Sequence, residues 1–307
     1  MRVTDSLMSQ NFLRNLGINT KNVQKYQTQL STLKQVSKSS DDPLRVSKIL
    51  DLKSSITQNE QYKNTISTSI DFTNVQDSAL DSATQALQRI KTLTQSSASD
   101  TLSDEGRQAN KAEIEEEINN YVNALNTKFG NQYLFAGKNT SEAPFEVEND
   151  ANGEFLGIKY NGTTDPADKG NLTREIAAGV TIELSTDGRA YLNEQTPGDN
   201  IGTFFKDVLT ALDKNDTKTL SGLLTRADNE IDNVVNNRSK IGAIFNSLEA
   251  TKDRNESEKL NLDSTLSENQ DIDLAETYTQ YMMEMTAYQS SMMMGTKILQ
   301  TSILDYL

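Results

Sequence analysis

Apolar residues recur at helical spacing in both terminal parts of the chain. Near the start, intervals of three and four residues separate Val23, Tyr26, Leu30 and Leu33. Near the end, the same alternation connects Leu274, Tyr278, Tyr281, Met285, Tyr288, Met292, Gly295 and Leu299. This spacing places side chains on one stripe of an α-helix and is typical of helices that pair along a seam. The pattern predicts a long helix at each end of the chain, the last one about 45 Å in length.

Further helices are predicted between these two. Ser37–Pro43 is rich in Ser and Asp, which favour helix caps, and its proline fits the first position of a second helix. Residues 97–106 interrupt that helix, and a third helix then extends through Phe129. A fourth carries an apolar stripe over residues 231–248, in which Arg238 occupies one position. The stripe is therefore either open at Arg238, or the arginine is paired.

The middle of the chain, about 141–200, has a different character, because most glycines and prolines fall in or near it. Apolar residues alternate on both sides of Asn152-Gly153, which predicts a hairpin of two strands. A second pair of strands is predicted around residues 180–184 and 190–192, joined by a turn at Thr186–Gly188.

The predicted fold is mainly α. Both chain ends form a long antiparallel helical bundle or coiled coil, and a small antiparallel β domain is inserted in the middle. We expect three domains: 1–43 plus 268–307 as a terminal coiled coil, 44–140 plus 201–267 as a helical bundle, and 141–200 as the inserted β domain.

The composition of the chain disfavours several classes of function. The net charge of −14 disfavours binding to nucleic acid or to an anionic membrane. Histidine and cysteine are both absent, so thiolate or imidazole catalysis and ordinary zinc sites are excluded. The acidic residues of 146–154 lack the spacing of a calcium loop, and we interpret them as a charged hairpin surface. We expect no catalytic residue, no cofactor and no metal, and we see neither a signal peptide nor a membrane span.

Methionine and charge set the last predicted helix apart. All eight methionines lie in the terminal segments, with none between Met8 and Met282. Between Thr277 and Thr296 the only charged residue is Glu284, so the outer face of the helix is uncharged. A solvated helix normally carries charges on its outer face, and methionine adapts to irregular surfaces, although ordinary core filling is the alternative.

We therefore predict that this helix packs on more than one side. The predicted assembly interface consists of Val23, Tyr26, Leu30, Leu33, Leu274, Tyr278, Tyr281, Met285, Tyr288, Met292 and Leu299.

Three segments resemble the flagellin superfamily, which comprises the flagellins and the hook-associated proteins: Leu30–Ile49, Ala86–Ile114 and Glu268–Tyr281. Two others, Phe129–Phe145 and Lys297–Leu307, are more similar to the hook–filament junction branch than to flagellin. One departure from the family is Leu33, where relatives often carry glycine; we interpret it as a continuation of the seam.

The resemblance implies a structural subunit, not an enzyme, at the junction between hook and filament. It implies an inner-tube domain built from both chain ends, and secretion through the flagellar type III apparatus without a cleaved signal. The implied partners are further copies in a short ring, hook-associated protein 1, flagellin and a flagellar export chaperone. Bulk flagellin and a cytosolic coiled-coil scaffold are the alternatives. As a hypothesis, Met285 and Met292 let one surface fit two different neighbours.

Overall fold

The computed structural model describes residues 2–151, 153–162, 170–193 and 199–304, and within these ranges it describes side chains from residue 7 to residue 296. The elements in chain order are α1 (Arg2–Thr32), α2 (Pro43–Ser97), α3 (Asp104–Leu125), β1 (Lys128–Phe129), β2 (Gln132–Tyr133), β3 (Phe145–Asn149), β4 (Phe155–Tyr160), β5 (Leu172–Ala177), β6 (Val180–Leu184), α4 (Arg189–Leu192), α5 (Ile201–Asp213), α6 (Thr217–Gln270) and α7 (Leu274–Leu304).

The chain forms two compact units. The terminal unit comprises Met1–Asn59 and Ser257–Leu307, and the central unit comprises Glu60–Glu256. Helices α2 and α6 contribute residues to both. The three-domain division predicted above follows sequence character and not packing, and it stays a prediction.

Local sequence sets the helix ends much as predicted. Helix α2 begins at Pro43, and the side chain of Asp42 accepts the backbone N–H of Arg45 at 3.0 Å. Ser103 caps α3 in the same way, by accepting the N–H of Gly106 at 3.2 Å. These side chains satisfy N–H groups that have no partner within a first helical turn.

The core of the central unit is built by helices and strands together. Tyr121 of α3 packs edge-on against Phe205 of α5, with ring centroids 5.7 Å apart. The strand residues Phe145, Ile158 and Leu184 belong to the same hydrophobic core. The β hairpins are thus held on the helices by shared apolar packing, which two strands alone do not provide.

The first predicted hairpin is confirmed. Strand β3 pairs antiparallel with β4, with Val147 opposite Ile158. Gly153, in the turn, has a φ of +84°, which only glycine adopts without steric cost. Asn152 lies outside the described residues.

The second predicted strand pair is wrong. Strand β6 pairs antiparallel with β5, with Leu184 opposite Leu172, and residues 190–192 belong to the short helix α4. The predicted turn starts this helix instead, because the carboxylate of Asp187 accepts both the backbone N–H and the guanidinium of Arg189, at 3.0 and 2.7 Å.

Two further predictions concern single residues. Helix α3 ends at Leu125, so the prediction that it extends through Phe129 is wrong. The side chain of Asn126 binds both the N–H and the carbonyl of Phe145, at 3.0 and 2.8 Å, and this directs the chain into β1.

Arg238 is paired, which is one of the two alternatives predicted from the sequence. Its guanidinium donates 2.6 Å hydrogen bonds to Asp77 and to Asp81 on α2.

In the terminal unit, α1 and α7 run antiparallel. The end of α1 meets the start of α7, where the N–H of Gln35 donates to the carbonyl of Gln270 at 2.8 Å and that of Ile272 donates to Leu33 at 3.4 Å. Asp273 caps α7 by accepting the N–H groups of Ala275 and Glu276. The predicted fold class is confirmed: mainly α, with paired terminal helices and small antiparallel strands in the middle.

Candidate assembly interface

The face of α7 that meets α1 includes polar and small residues. The amide of Asn19 donates to the hydroxyl of Ser291 at 3.0 Å, and the amide of Asn22 donates to the carboxylate of Glu284 at 3.2 Å. Gly295 is buried, and a Cβ atom there would lie 2.4 Å from the ring of Phe12. Short side chains therefore let the two helices approach closely.

These contacts define a stripe on α7 with spacings of four and three, whose members are all buried or half-buried. We call it the facing stripe: Thr277, Tyr281, Glu284, Tyr288, Ser291 and Gly295. It shares Tyr281, Tyr288 and Gly295 with the predicted apolar seam. The other seam residues of α7 lie on a flank next to this stripe, since each residue turns the helix by about 100°.

The structure divides the predicted interface residues into two groups. Half-buried residues on α1 and α7 are Val23, Tyr26, Leu30, Tyr281, Met285 and Tyr288. Exposed residues are Leu33, Leu274, Tyr278 and Met292. The side chain of Leu299 lies outside the described ones. That these residues together form an assembly interface stays a prediction.

Leu33 does not continue the seam of α1. Helix α1 ends at Thr32, and Leu33 follows it with a φ of +56°, in the left-handed region that disfavours residues with a Cβ atom. This is the position after a helix that glycine commonly occupies. The interpretation of Leu33 as a continuation of the seam was therefore wrong.

The terminal unit leaves about half of its large apolar side chains exposed to solvent, and nearly all the others are only half-buried. Among the described side chains, the large exposed apolar residues of this unit are Leu7, Met8, Leu13, Ile18, Leu33, Leu44, Leu50, Leu260, Leu274, Tyr278, Met282, Met283, Met292, Met293 and Met294. In the same described set, Ile49 is the only buried hydrophobic residue of this unit. Exposed apolar surface on this scale marks a site of association.

Sequence reasoning missed several members of this surface. Leu13 and Ile18 lie off the main stripe of α1, and Leu44, Leu50 and Leu260 lie on α2 and α6. The signal that could have found them is an apolar residue outside the apolar stripe of an otherwise polar helix.

The sequence analysis also missed the role of Glu284, whose carboxylate accepts a hydrogen bond from Asn22 of α1. The outer face of α7 over residues 278–295 thus carries no charge.

The acidic cluster, Glu146, Glu148, Asp150 and Glu154, lies on the first hairpin. Glu146 stands opposite Lys159 across the strand pair, and Asp150 accepts the N–H of Glu154 at 2.8 Å to close the turn. Within the described residues, no group of three or more acidic side chains is arranged to hold a metal ion. Nor do the described helices include one that is long and apolar enough to cross a bilayer.

The buried ionisable groups of the central unit include Glu230 and Tyr121. Burial raises the pKa of Glu230 above its ordinary value, although a 2.9 Å hydrogen bond from Asn193 opposes the shift. Burial, reinforced by the charge of Glu230, raises the pKa of Tyr121 well above its ordinary value, and its hydroxyl donates to the carbonyl of Tyr191 at 3.2 Å. We interpret both as parts of the core.

The chain is similar to known proteins in its family, its sequence and its fold. Two family models match: the bacterial flagellin N-terminal helical region over residues 3–140 and the bacterial flagellin C-terminal helical region over residues 224–307. Flagellar hook-associated protein 3 of Escherichia coli (strain K12) is 26% identical, and that of Salmonella typhimurium is 24% identical, each aligned over 95% of both chains. A flagellin of Clostridium tyrobutyricum is 22% identical over 92% of this chain and 94% of its own.

The fold is similar to that of flagellar hook associated protein-3 from Legionella pneumophila, with a TM-score of 0.60 over 72% of this chain and 98% of the other, at 14% identity. Because the two flagellin models between them match most of the chain, and the aligned relatives span nearly all of it, the chain belongs to the flagellin family.

Proposed function

We propose that this protein is a structural junction subunit of the bacterial flagellum, which links the hook to the flagellin filament. Alignment with two hook-associated proteins 3 over 95% of the chain supports this function, and the flagellin compared is less similar. The terminal unit is the surface through which the subunit packs on its neighbours. The protein acts by packing and not by catalysis, and needs no cofactor.

The observation that carries the proposal is the exposed apolar surface of the terminal unit. Apolar surface removed from water contributes about 25 cal/mol per Å² to association. Helices α1 and α7 meet through the facing stripe and cannot bury their own outer residues. Neighbouring subunits can bury these residues, and because the flank of α7 is uncharged, this burial does not desolvate a charge.

The partners follow from the same assignment. The subunit packs on further copies in a short ring, on hook-associated protein 1 at one side and on flagellin at the other. A flagellar export chaperone binds it before secretion through the flagellar type III apparatus. It comes to lie in the flagellum at the hook–filament junction.

Met285 and Met292 are the candidates for adapting to unlike neighbours. Met285 is half-buried and Met292 is exposed, and both lie on the flank next to the facing stripe. Replacement of both by leucine or isoleucine keeps the volume but removes flexibility. We expect the ring to form and the contact to one unlike neighbour to weaken. Normal filament growth on such a mutant would contradict the adapting role.

The test of the whole proposal is complementation in cells that lack this protein. A chain without its last three dozen residues should fail to take its place between hook and filament, by immunogold labelling of intact flagella. Normal incorporation of the truncated protein would overturn the proposal. Purified full-length protein should cap hook ends and stop; growth of long filaments would favour bulk flagellin instead.

A point variant avoids the objection that truncation disturbs folding. Tyr278→Asp places a charge on the uncharged flank of α7 and should abolish incorporation, because the charge would be buried without a partner. Val235→Asp is the matched control, since Val235 is an exposed apolar residue on α6 of the central unit. The control should incorporate as the wild type does.

A further inference from the structure

Two methionine pairs lie on the side of α7 that points away from α1. Met282 and Met283 are 47% and 53% exposed, and Met293 and Met294 are 66% and 62% exposed. The pairs are eleven residues apart, which is close to three helical turns, so they face the same side about 16 Å from each other. The facing stripe lies on the opposite side of the helix.

Methionine carries all the sulfur chemistry of this chain, because cysteine is absent. There is no methionine between Met8 and Met282, so the central unit has none. Met285, on the flank, is half-buried. An oxidant that attacks methionine therefore reacts with the terminal unit and leaves the core of the central unit unchanged.

We propose that Met282, Met283, Met293 and Met294 form an oxidative modification site, at which a hydroperoxide switches off assembly. This inference rests on the proposed function, since it concerns the surface through which the subunit packs. The thioether sulfur attacks one peroxide oxygen, the O–O bond breaks and an S–O bond forms. The sulfur loses two electrons, and hydrogen peroxide is reduced to water. Each methionine becomes a sulfoxide with one added oxygen atom.

Oxidation changes the surface more than the fold. A sulfoxide is a strongly polar acceptor, and burying it against an apolar neighbour without a donor is unfavourable. The four side chains already point into solvent, so the oxidised subunit keeps the contacts of α1 with the facing stripe. Sulfoxide reductases with a thiol reductant reverse the modification, which makes it a switch and not only damage.

The first arm of the test measures reactivity. The full-length purified protein is treated with dilute hydrogen peroxide, and sulfoxide at each methionine is followed by peptide mass spectrometry. The four proposed residues should oxidise several-fold faster than Met285, while the helical circular dichroism stays unchanged. Oxidation of Met285 at the same rate, or loss of helix, would overturn the proposal.

The second arm measures assembly on isolated hooks whose ends carry hook-associated protein 1. Peroxide treatment should lower the occupancy of these ends by about tenfold, the size of effect that about 1.4 kcal/mol produces. The variant with leucine at all four positions keeps the exposed Met8 and Met292, and treatment should lower its assembly several-fold less than that of the wild type. The double variant Met293→Gln and Met294→Gln imitates the polar product and should assemble poorly without treatment.

These outcomes distinguish failure of the proposed function from failure of the oxidation switch. If untreated wild-type protein does not occupy hook ends, the proposed function fails, and the reactivity arm alone then decides whether the site exists. If untreated protein assembles and oxidised protein assembles equally well, the switch is wrong and the proposed function stands. If the oxidised leucine variant loses as much assembly as the oxidised wild type, the sensitive residue lies elsewhere and the proposal is overturned.

Discussion

The central and terminal units are both built from long helices, yet they treat their apolar residues in opposite ways. Buried rings and aliphatic side chains of α2, α3, α5 and α6 form a continuous core in the central unit. In the terminal unit, residues of the same types are half-buried or exposed, and Ile49 is the one buried hydrophobic side chain among those described. Helix formation is therefore not the property that separates them. What differs is whether the partner of each helix face lies within the chain.

The polar contacts differ in kind as well. In the central unit, ion pairs join separate helices, such as Lys111 with Asp213 at 2.7 Å and Arg238 with Asp77 at 2.6 Å. In the terminal unit, α1 meets α7 through the neutral amides of Asn19 and Asn22. Exposed ion pairs add little stability, but they discriminate between partners. The amide contacts fix how α1 and α7 align and leave the outer face of α7 over residues 278–295 free of charge.

The largest expected effect comes from truncating one apolar residue in each unit. Phe205→Ala removes a fully buried ring that contacts Tyr121, and should cost about 3–5 kcal/mol in the free energy of unfolding. Leu13→Ala, at a residue 60% exposed on α1, should change it by less than about 0.5 kcal/mol but should weaken assembly. Urea unfolding and hook-end binding measure the two effects. A large stability loss for Leu13→Ala would show that the terminal unit has a core of its own.

Glycine-to-alanine substitution in a helix gives the next effect, of opposite sign in the two units. At Gly295 the new Cβ atom would meet the ring of Phe12, and we expect a loss of about 1–3 kcal/mol from the packing of α1 on α7. At Gly242 on α6 nothing lies within 4 Å, so Gly242→Ala should stabilise its helix by about 1 kcal/mol. Hydrogen exchange of α7 and of α6 measures each change locally. Combining Gly295→Ala with Phe12→Leu should restore protection; no recovery would contradict the close approach.

Glu230 makes the stability of the central unit depend on pH. Burial raises its folded-state pKa above the unfolded value, so its contribution is complete below the ordinary glutamate pKa and falls as pH rises through the folded pKa. Glu230→Gln cannot titrate and can still accept the hydrogen bond from Asn193. Relative to wild type, the variant should therefore gain stability between acid and neutral pH. Urea midpoints measured from acid to neutral pH test this, and a difference independent of pH would contradict it.

A second variant tests the hydrogen bond from Asn193 to Glu230, and its effect on stability should have the opposite sign. Asn193→Gly keeps the left-handed backbone at this position but removes the amide that donates to Glu230. Because that hydrogen bond favours the charged carboxylate, this variant should lose more stability at neutral than at acid pH. An equal loss at both would mean that the amide does not stabilise the charge.

The long helices and the first hairpin were predictable because their signals are local. Apolar spacing along α6 and the caps Asp42 and Asp273 needed no knowledge of the fold. The second strand pair was not predictable, since strands of similar character compete and the choice depended on how Asp187 binds Arg189. The rotation of α7 was not predictable either. Apolar spacing indicates which residues avoid water, but the facing stripe includes Thr277, Glu284 and Ser291, which carry no apolar signal.

The smallest expected effect is at Leu33, and it bears on why the terminal unit keeps unfavourable residues. Leu33→Gly relieves the left-handed strain and should stabilise the end of α1 by about 1 kcal/mol, measured as increased amide protection there. Among the described residues of the central unit, the left-handed positions without glycine carry asparagine, Asn193 and Asn215, so Leu33→Asn is the matched control and should recover part of the gain. If either variant is stabler yet assembles less well, Leu33 serves contact with a neighbour at the expense of the monomer. If assembly is unchanged, Leu33 leaves the predicted interface, and the exposed residues of α7 must provide it.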